Sequence, residues 1–183
     1  MTLIAWGLLD RMMRGAHRGK PSQVLAGLHR GVQSLLGQDE REGNTDDGLE
    51  AGICFVDLKE RKMTFAGARF SLWRANREGV IEIKGDRKAL GYRRYPPDAT
   101  FTDVTLALGD DDNFYLTTDG LIDQIGGPRG RSFGKRRFQG LLAKTRGASM
   151  SEQEAILRRA LDAHQGEQLR RDDLTVLGFV PHF

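Results

Sequence analysis

From Leu49 to Thr118 the sequence offers one strand after another with no helix between them, and this order most constrains the fold. Leu49–Asp57 mixes apolar and small residues as a largely buried strand. Lys62–Phe70 and Ser71–Asn76 follow, and Val80–Lys84 folds back across the turn Asn76-Arg77-Glu78-Gly79. Gly85–Ala99 is a long basic loop around Pro96-Pro97. Phe101–Leu108 and Asn113–Thr118 are two more strands, split by Gly109-Asp110-Asp111-Asp112, which reads as a solvated hairpin turn. Helical patterns lie outside this block. Residues 1–13 place apolar side chains at Met1, Ile4, Leu8, Leu9, Met12 and Met13. Gly15–Lys20 is a turn, and Pro21 opens a second helix with a stripe of Val24, Leu25, Leu28, Val32, Leu35 and Leu36 that Gly37 ends. Residues 38–48 read as a solvated loop. Helices follow at Gly134–Arg146 and Ser151–His164, the latter with Ser151 and Glu154 spaced as a capping box. A final strand covers Leu174–Val180, before Pro181. Strands in sequence with helices at either side predict an α+β fold, antiparallel sheet with helices on its faces.

Composition excludes several classes. The chain has 183 residues, 39% of them hydrophobic, enough for one domain with a core. No apolar run approaches the roughly 20 residues that span a bilayer. The apolar start Met1–Leu9 lacks a basic lead-in, so it reads as helix rather than secretion signal, and a cytoplasmic location is expected. The single cysteine, Cys54, rules out an internal disulfide and reads as inert packing in a buried strand. A net charge of +3 is too small to argue for nucleic acid. The first helix has no capping residue before it, which leaves two expectations open, that sequence belonging upstream is absent or that the first helix is naturally frayed.

Two aspartates at strand ends carry the chemical signal. In Tyr115-Leu116-Thr117-Thr118-Asp119-Gly120 an apolar strand delivers a carboxylate at its end, with a glycine that lets another backbone approach. In Arg170-Arg171-Asp172-Asp173-Leu174 a carboxylate stands before the last strand. Rigidly held carboxylates suit hard cations such as Mg2+ or Mn2+. From spacing alone, a plain turn at Asp119-Gly120 and a plain helix or strand cap at Asp172 are the favoured reading.

These motifs resemble a known family. Tyr115–Gly127 with Phe133-Gly134, and Arg171-Asp172-Asp173-Leu174-Thr175, resemble the stage II sporulation protein E type of PPM (protein phosphatase 2C-like) serine/threonine phosphatases. Phe65-Ala66-Gly67-Ala68, Lys84-Gly85-Asp86-Arg87 with Gly91-Tyr92, and Asp46-Asp47-Gly48-Leu49 occur before them as in bacterial members. The resemblance covers essentially the whole chain and implies a single partial domain over 1–183. It implies a PPM-type αββα sandwich of two antiparallel sheets flanked by helices, N-terminally truncated. It further implies Asp119 and Asp172 as metal ligands, with Gly120 and Asp173 in the metal shell or its loop, and Mn2+ or Mg2+, dinuclear in the intact family, as cofactor. The family's Gly-Asp-x-x-Asp-like and Asp-x-x-Gly-His-Gly-like motifs do not occur here, so at most weak metal binding and impaired activity are expected. The implied reaction is phosphoserine or phosphothreonine monoester hydrolysis by metal-activated water. The implied substrate is a phosphorylated bacterial regulatory protein such as an anti-sigma-factor antagonist.

Other residues weigh less. His17, His29, His164 and His182 show no ligand spacing. Asp46 and Asp47 stand as metal shell or loop turn, and Asp123 as a cap or ion-pair partner. From Gln124 to Ser151 the chain has seven basic residues and no acidic one. Within it Arg129, Arg131, Lys135 and Arg136 are candidates for steering a phosphorylated substrate; nucleic acid is the less favoured partner and a plain solvated face the simplest reading. A non-catalytic interaction module that binds a signalling partner, and a homodimer, are the alternatives carried forward.

Overall fold

The computed structural model describes residues 2–13, 19–38 and 46–183. His17, most of the turn before Pro21 and most of the loop after Gln38 lie outside them. The chain forms two compact units, Met1–Ser71 with Lys84–Leu108 and Phe183, and Leu72–Ile83 with Gly109–His182.

In the first unit, helices α1 (Thr2–Met13) and α2 (Pro21–Leu35) accompany a three-stranded antiparallel sheet ordered β1 (Ala51–Asp57), β2 (Lys62–Ala68), β5 (Val104–Ala107). The α2 stripe buries Val24, Leu25, Leu28 and Val32, and the first three cluster with Ala66, Ala68 and Leu90. Each such aliphatic side chain stabilises by about 1.5–3 kcal/mol. The stripe stops short of its expected end, because Leu35 is 61% exposed. Polar residues interleave with it instead. His29 and Gln33 are buried on α2 and hold the long basic loop by its main chain: His29 bonds the Pro96 carbonyl through Nε2 and accepts from the Gly91 amide at Nδ1, and Gln33 donates to the carbonyls of Tyr92 and Tyr95. Gln38, expected in a solvated loop, is also buried and donates to the carbonyls of Asp47 and Gly91. A loop without strand partners must satisfy its carbonyls some other way.

In the second unit the sheet order is β4 (Gly79–Lys84), β3 (Ser71–Asn76), β6 (Asn113–Thr117), β9 (Val176–Phe179), with β6 antiparallel to both of its neighbours. A short helix α3 (Asp119–Asp123) follows β6, then a two-stranded hairpin β7 (Ile125–Gly126) and β8 (Arg131–Ser132), then α4 (Lys135–Thr145) and α5 (Met150–Gln165). The sequence showed neither α3 nor the hairpin. The core gathers Trp73, Tyr115, Leu121, Phe133, Phe138, Leu142 and Leu161.

Two local expectations are corrected. Helix α5 is capped by Ser149 and Glu152, not by Ser151 and Glu154: the Ser149 hydroxyl accepts from the Glu152 amide, and the Glu152 carboxylate accepts from the Ser149 amide. Two overlapping Ser-x-x-Glu spacings exist, and the helix starts at the earlier one. Glu154 pairs with Arg158 one turn on instead, at 2.9 Å. The second correction concerns Asp110–Asp112. Strands β5 and β6 belong to different sheets, so the turn is no hairpin, and Asp112 is fully buried.

Candidate functional site

Strand register brings the two aspartate motifs together. Thr117, the last residue of β6, pairs with Val176, the first of β9. The strands are antiparallel, so the chain leaving β6 toward Asp119 and the chain arriving at β9 from Asp172 share one end of the sheet. Thr118 extends the ladder past the strands. Its amide donates to the Thr175 carbonyl at 3.1 Å. Its hydroxyl donates to the Asp173 carbonyl and accepts from the Thr175 amide, both at 3.0 Å. Gly120 completes the approach, for a Cβ there would lie 2.5 Å from the Asp173 carbonyl oxygen and 3.5 Å from the carbonyl carbon of Asp172. No side chain fits in that space, which explains the glycine after Asp119.

The carboxylates themselves face water. Asp119, Asp172 and Asp173 are exposed. Among the described residues none of the three has an ion pair. The one hydrogen bond to a carboxylate of the three is local, from the Asp173 amide to Asp172 Oδ1 at 2.7 Å. The backbone contacts of Thr118 and Gly120 thus bring two segments that each carry an exposed carboxylate to one end of the sheet. The donor set is hard oxygen in open solvent, which fits Mg2+ or Mn2+ carrying several waters of their own. Among the described residues no three His, Cys, Asp or Glu side chains gather to hold a metal.

The remaining candidates fall elsewhere. Asp46 accepts from the Arg93 amide, and the Asp47 amide donates to Gln38, so both serve the loop architecture of the first unit. Asp123 is exposed at the end of α3. Burial pushes the Cys54 thiol up to about 12, in keeping with an inert role. His182 is exposed. The basic stretch divides. Lys135 pairs with Glu82 at 2.5 Å, and Arg137 donates to Phe133 and His164. Arg129, Arg131 and Arg136 are exposed, and their side chains have no acidic partner among the described residues.

Sequence reasoning missed Thr118, Gln124 and His164. The paired hydroxyls of Thr117-Thr118 directly before Asp119 were the available signal for the first. Nothing local marks the other two, whose grips on one another, on Leu169 and on Arg131 span tens of residues.

Comparison with known proteins settles the family. Residues 2–179 match the family model described as stage II sporulation protein E (SpoIIE). The chain belongs to the SpoIIE family. A likeness of fold accompanies the match. The SiaA-PP2C domain of Pseudomonas aeruginosa is 32% identical with a TM-score of 0.88, over 98% of this chain and 68% of that one. The SpoIIE phosphatase domain from Bacillus subtilis, presoaked with Mn, is 14% identical at a TM-score of 0.56, over 97% and 72%. The catalytic domain of the serine/threonine phosphatase PstP, in complex with two manganese ions, is 14% identical at 0.62, over 96% and 77%. The last two share the fold alone. No curated protein sequence matches the chain. The fold is thus the α+β fold of PPM-type phosphatases, as the resemblance implied, and no helix among the described residues is long and apolar enough to cross a membrane.

Proposed function

We propose that this chain carries the Asp119/Asp172 part of a metal-dependent protein-serine/threonine phosphatase site, acting on a phosphorylated bacterial regulatory protein such as an anti-sigma-factor antagonist. One observation carries the reading: two segments, whose exposed aspartates have no ion pair among the described residues, lie side by side through Thr118 and Gly120. In this reading Asp119 and Asp172 hold a divalent ion, Mn2+ or Mg2+, and Asp173 and Gly120 shape the loop around it. The ion, when bound, supplies charge neutralisation at the phosphoryl oxygens and acidifies water. Asp119 and Asp172 orient the ion at the sheet end, and the free guanidiniums of Arg129, Arg131 and Arg136 attract the anionic substrate. Lys135 is a weaker steering candidate than the others because Glu82 already neutralises it. Two carboxylates bind weakly, so slow turnover by this chain is expected.

A second reading, a non-catalytic module that binds a signalling partner, is favoured by the lack of a third acidic ligand among the described residues. Release of phosphate from a phosphoserine protein at millimolar Mn2+ separates the two. Slow release that disappears in Asp119→Asn and Asp172→Asn supports the phosphatase. No release from the unsubstituted chain, with binding of the phosphoprotein intact, supports the module.

A further inference from the structure

His164 closes the last turn of α5 and is 8% exposed. Both ring nitrogens are engaged. Arg137 lies 3.0 Å from Nδ1, and a guanidinium only donates, so Nδ1 accepts and the hydrogen sits on Nε2. Nε2 then donates to the Gln124 carbonyl at 3.2 Å and the Arg131 carbonyl at 3.1 Å. These two carbonyls lie on opposite arms of the β7–β8 hairpin. The His164 carbonyl takes a third grip, accepting from the Gly127 amide at 2.6 Å. The approach is so close that a Cβ on Gly126 would stand 1.9 Å from that carbonyl oxygen. Phe133 meets the ring edge-on at 5.4 Å, and Arg137 also donates to the Phe133 carbonyl. The hairpin has only two residues per strand, too few to hold its own shape in water. Arg129 in its turn and Arg131 at the start of β8 are exposed and without acidic partners among the described residues. The knot also reaches the aspartate motifs. Gln124 directly follows the α3 helix that begins at Asp119, and its side-chain amide donates to the Leu169 carbonyl on the segment leading to Asp172.

We propose that His164 is a positioning residue for substrate, and that it sets the β7–β8 hairpin so that Arg129 and Arg131 form a preformed receptor for an acidic segment flanking the phosphorylated residue. This rests on the phosphatase reading for its substrate class, but the latch and the receptor are measurable without turnover. A receptor held rigid binds without the ordering cost that a loose loop incurs.

The test uses the full chain without metal, in His164→Ala, His164→Gln and the double charge reversal Arg129→Glu/Arg131→Glu. Trypsin cleavage at Arg129 and Arg131 reports hairpin opening, with cleavage at Arg158 within α5 as the control for unfolding. Fluorescence anisotropy compares a phosphoserine peptide flanked by glutamates with the same peptide flanked by serines. His164→Ala should raise cleavage at the hairpin about tenfold with Arg158 unchanged. It should also reduce the preference for the acidic peptide to the level left by the double reversal. His164→Gln, whose amide can still donate to Gln124 and Arg131, should recover part of both. Unchanged hairpin cleavage in His164→Ala overturns the latch, and so does an equal rise at Arg158. A preference for the acidic peptide that survives the double reversal overturns the receptor. Loss of Mn2+-dependent turnover alone, with these results intact, counts against the phosphatase reading and not against the latch.

Discussion

Asp112 and Asp119 flank the same strand, one immediately before β6 and the other two residues after its end. Their surroundings are opposite. Asp112 is fully buried and accepts from Arg74 Nε at 2.6 Å, Arg74 Nη2 at 2.7 Å, Asn76 at 3.0 Å and the Gly109 amide at 2.8 Å. Burial alone would raise its carboxyl, but the hydrogen bonds from Arg74, Gly109 and Asn76 outweigh that and hold it below the usual carboxylate range. Asp119 is exposed and has no ion pair among the described residues, while Gly120 beside it packs against the Asp172–Asp173 backbone. The fold satisfies the Asp112 charge completely and gives the Asp119 carboxylate no ion pair among the described residues. A carboxylate whose every lone pair is used serves architecture; one held rigid with none used is available for a ligand.

The largest effect should come from the satisfied end. Asp112→Ala strands the Arg74 guanidinium, which is 22% exposed, and should cost about 3 kcal/mol of stability. Urea unfolding measures it, and Mn2+ binding should not change. A loss of metal binding in this variant would erase the distinction between the two ends of β6.

Next comes Gly120→Ala. The added methyl must push the Asp173 carbonyl away, because 2.5 Å is not a contact real atoms sustain. A cost of roughly 1–3 kcal/mol is expected. Metal affinity should fall as well, since the two aspartate segments are forced apart. Unaltered affinity would mean that their spacing does not matter.

The smallest effect concerns acid, and its sign follows from the direction of each shift. His29 is fully buried, and desolvation is the main cause of its lowered pKa, with Lys88 and Arg30 adding to it against the Pro96 hydrogen bond. A depressed histidine leaves stability intact above the unfolded value of 6.5 and loses it as pH falls from there toward the folded value. Asp112, also depressed, contributes above its unfolded value of 3.8 and loses that contribution at lower pH. Urea midpoints should therefore fall in two separate windows. His29→Gln should remove the upper one and leave the lower in place.

How much of this was legible in the sequence follows from distance along the chain. The apolar strand ending in Asp119-Gly120, and the aspartates before the last strand, are local signals, and antiparallel pairing of β6 with β9 is enough to bring them to one sheet end. The capping of α5 was local too, but two overlapping spacings differ by two residues and only the helix start chooses between them. Asp112 could not be read, because its burial depends on Arg74 and Asn76, which lie 38 and 36 residues away. The grip of His164 on Gln124 and Arg131 spans 40 and 33 residues. Leu35 matched the helical stripe, yet it is mostly exposed at the end of α2. Periodicity names the face of a helix, not how far the neighbouring element extends along it.

The central claim is that Asp119 and Asp172 jointly hold one divalent ion, and equilibrium Mn2+ binding followed by electron paramagnetic resonance tests it most directly. One ion per chain is predicted, with affinity falling by at least about tenfold in Asp119→Asn and in Asp172→Asn alike, and no further drop of the same size in the double variant. Binding that survives either substitution, or that is lost only in Asp112→Asn, would contradict it.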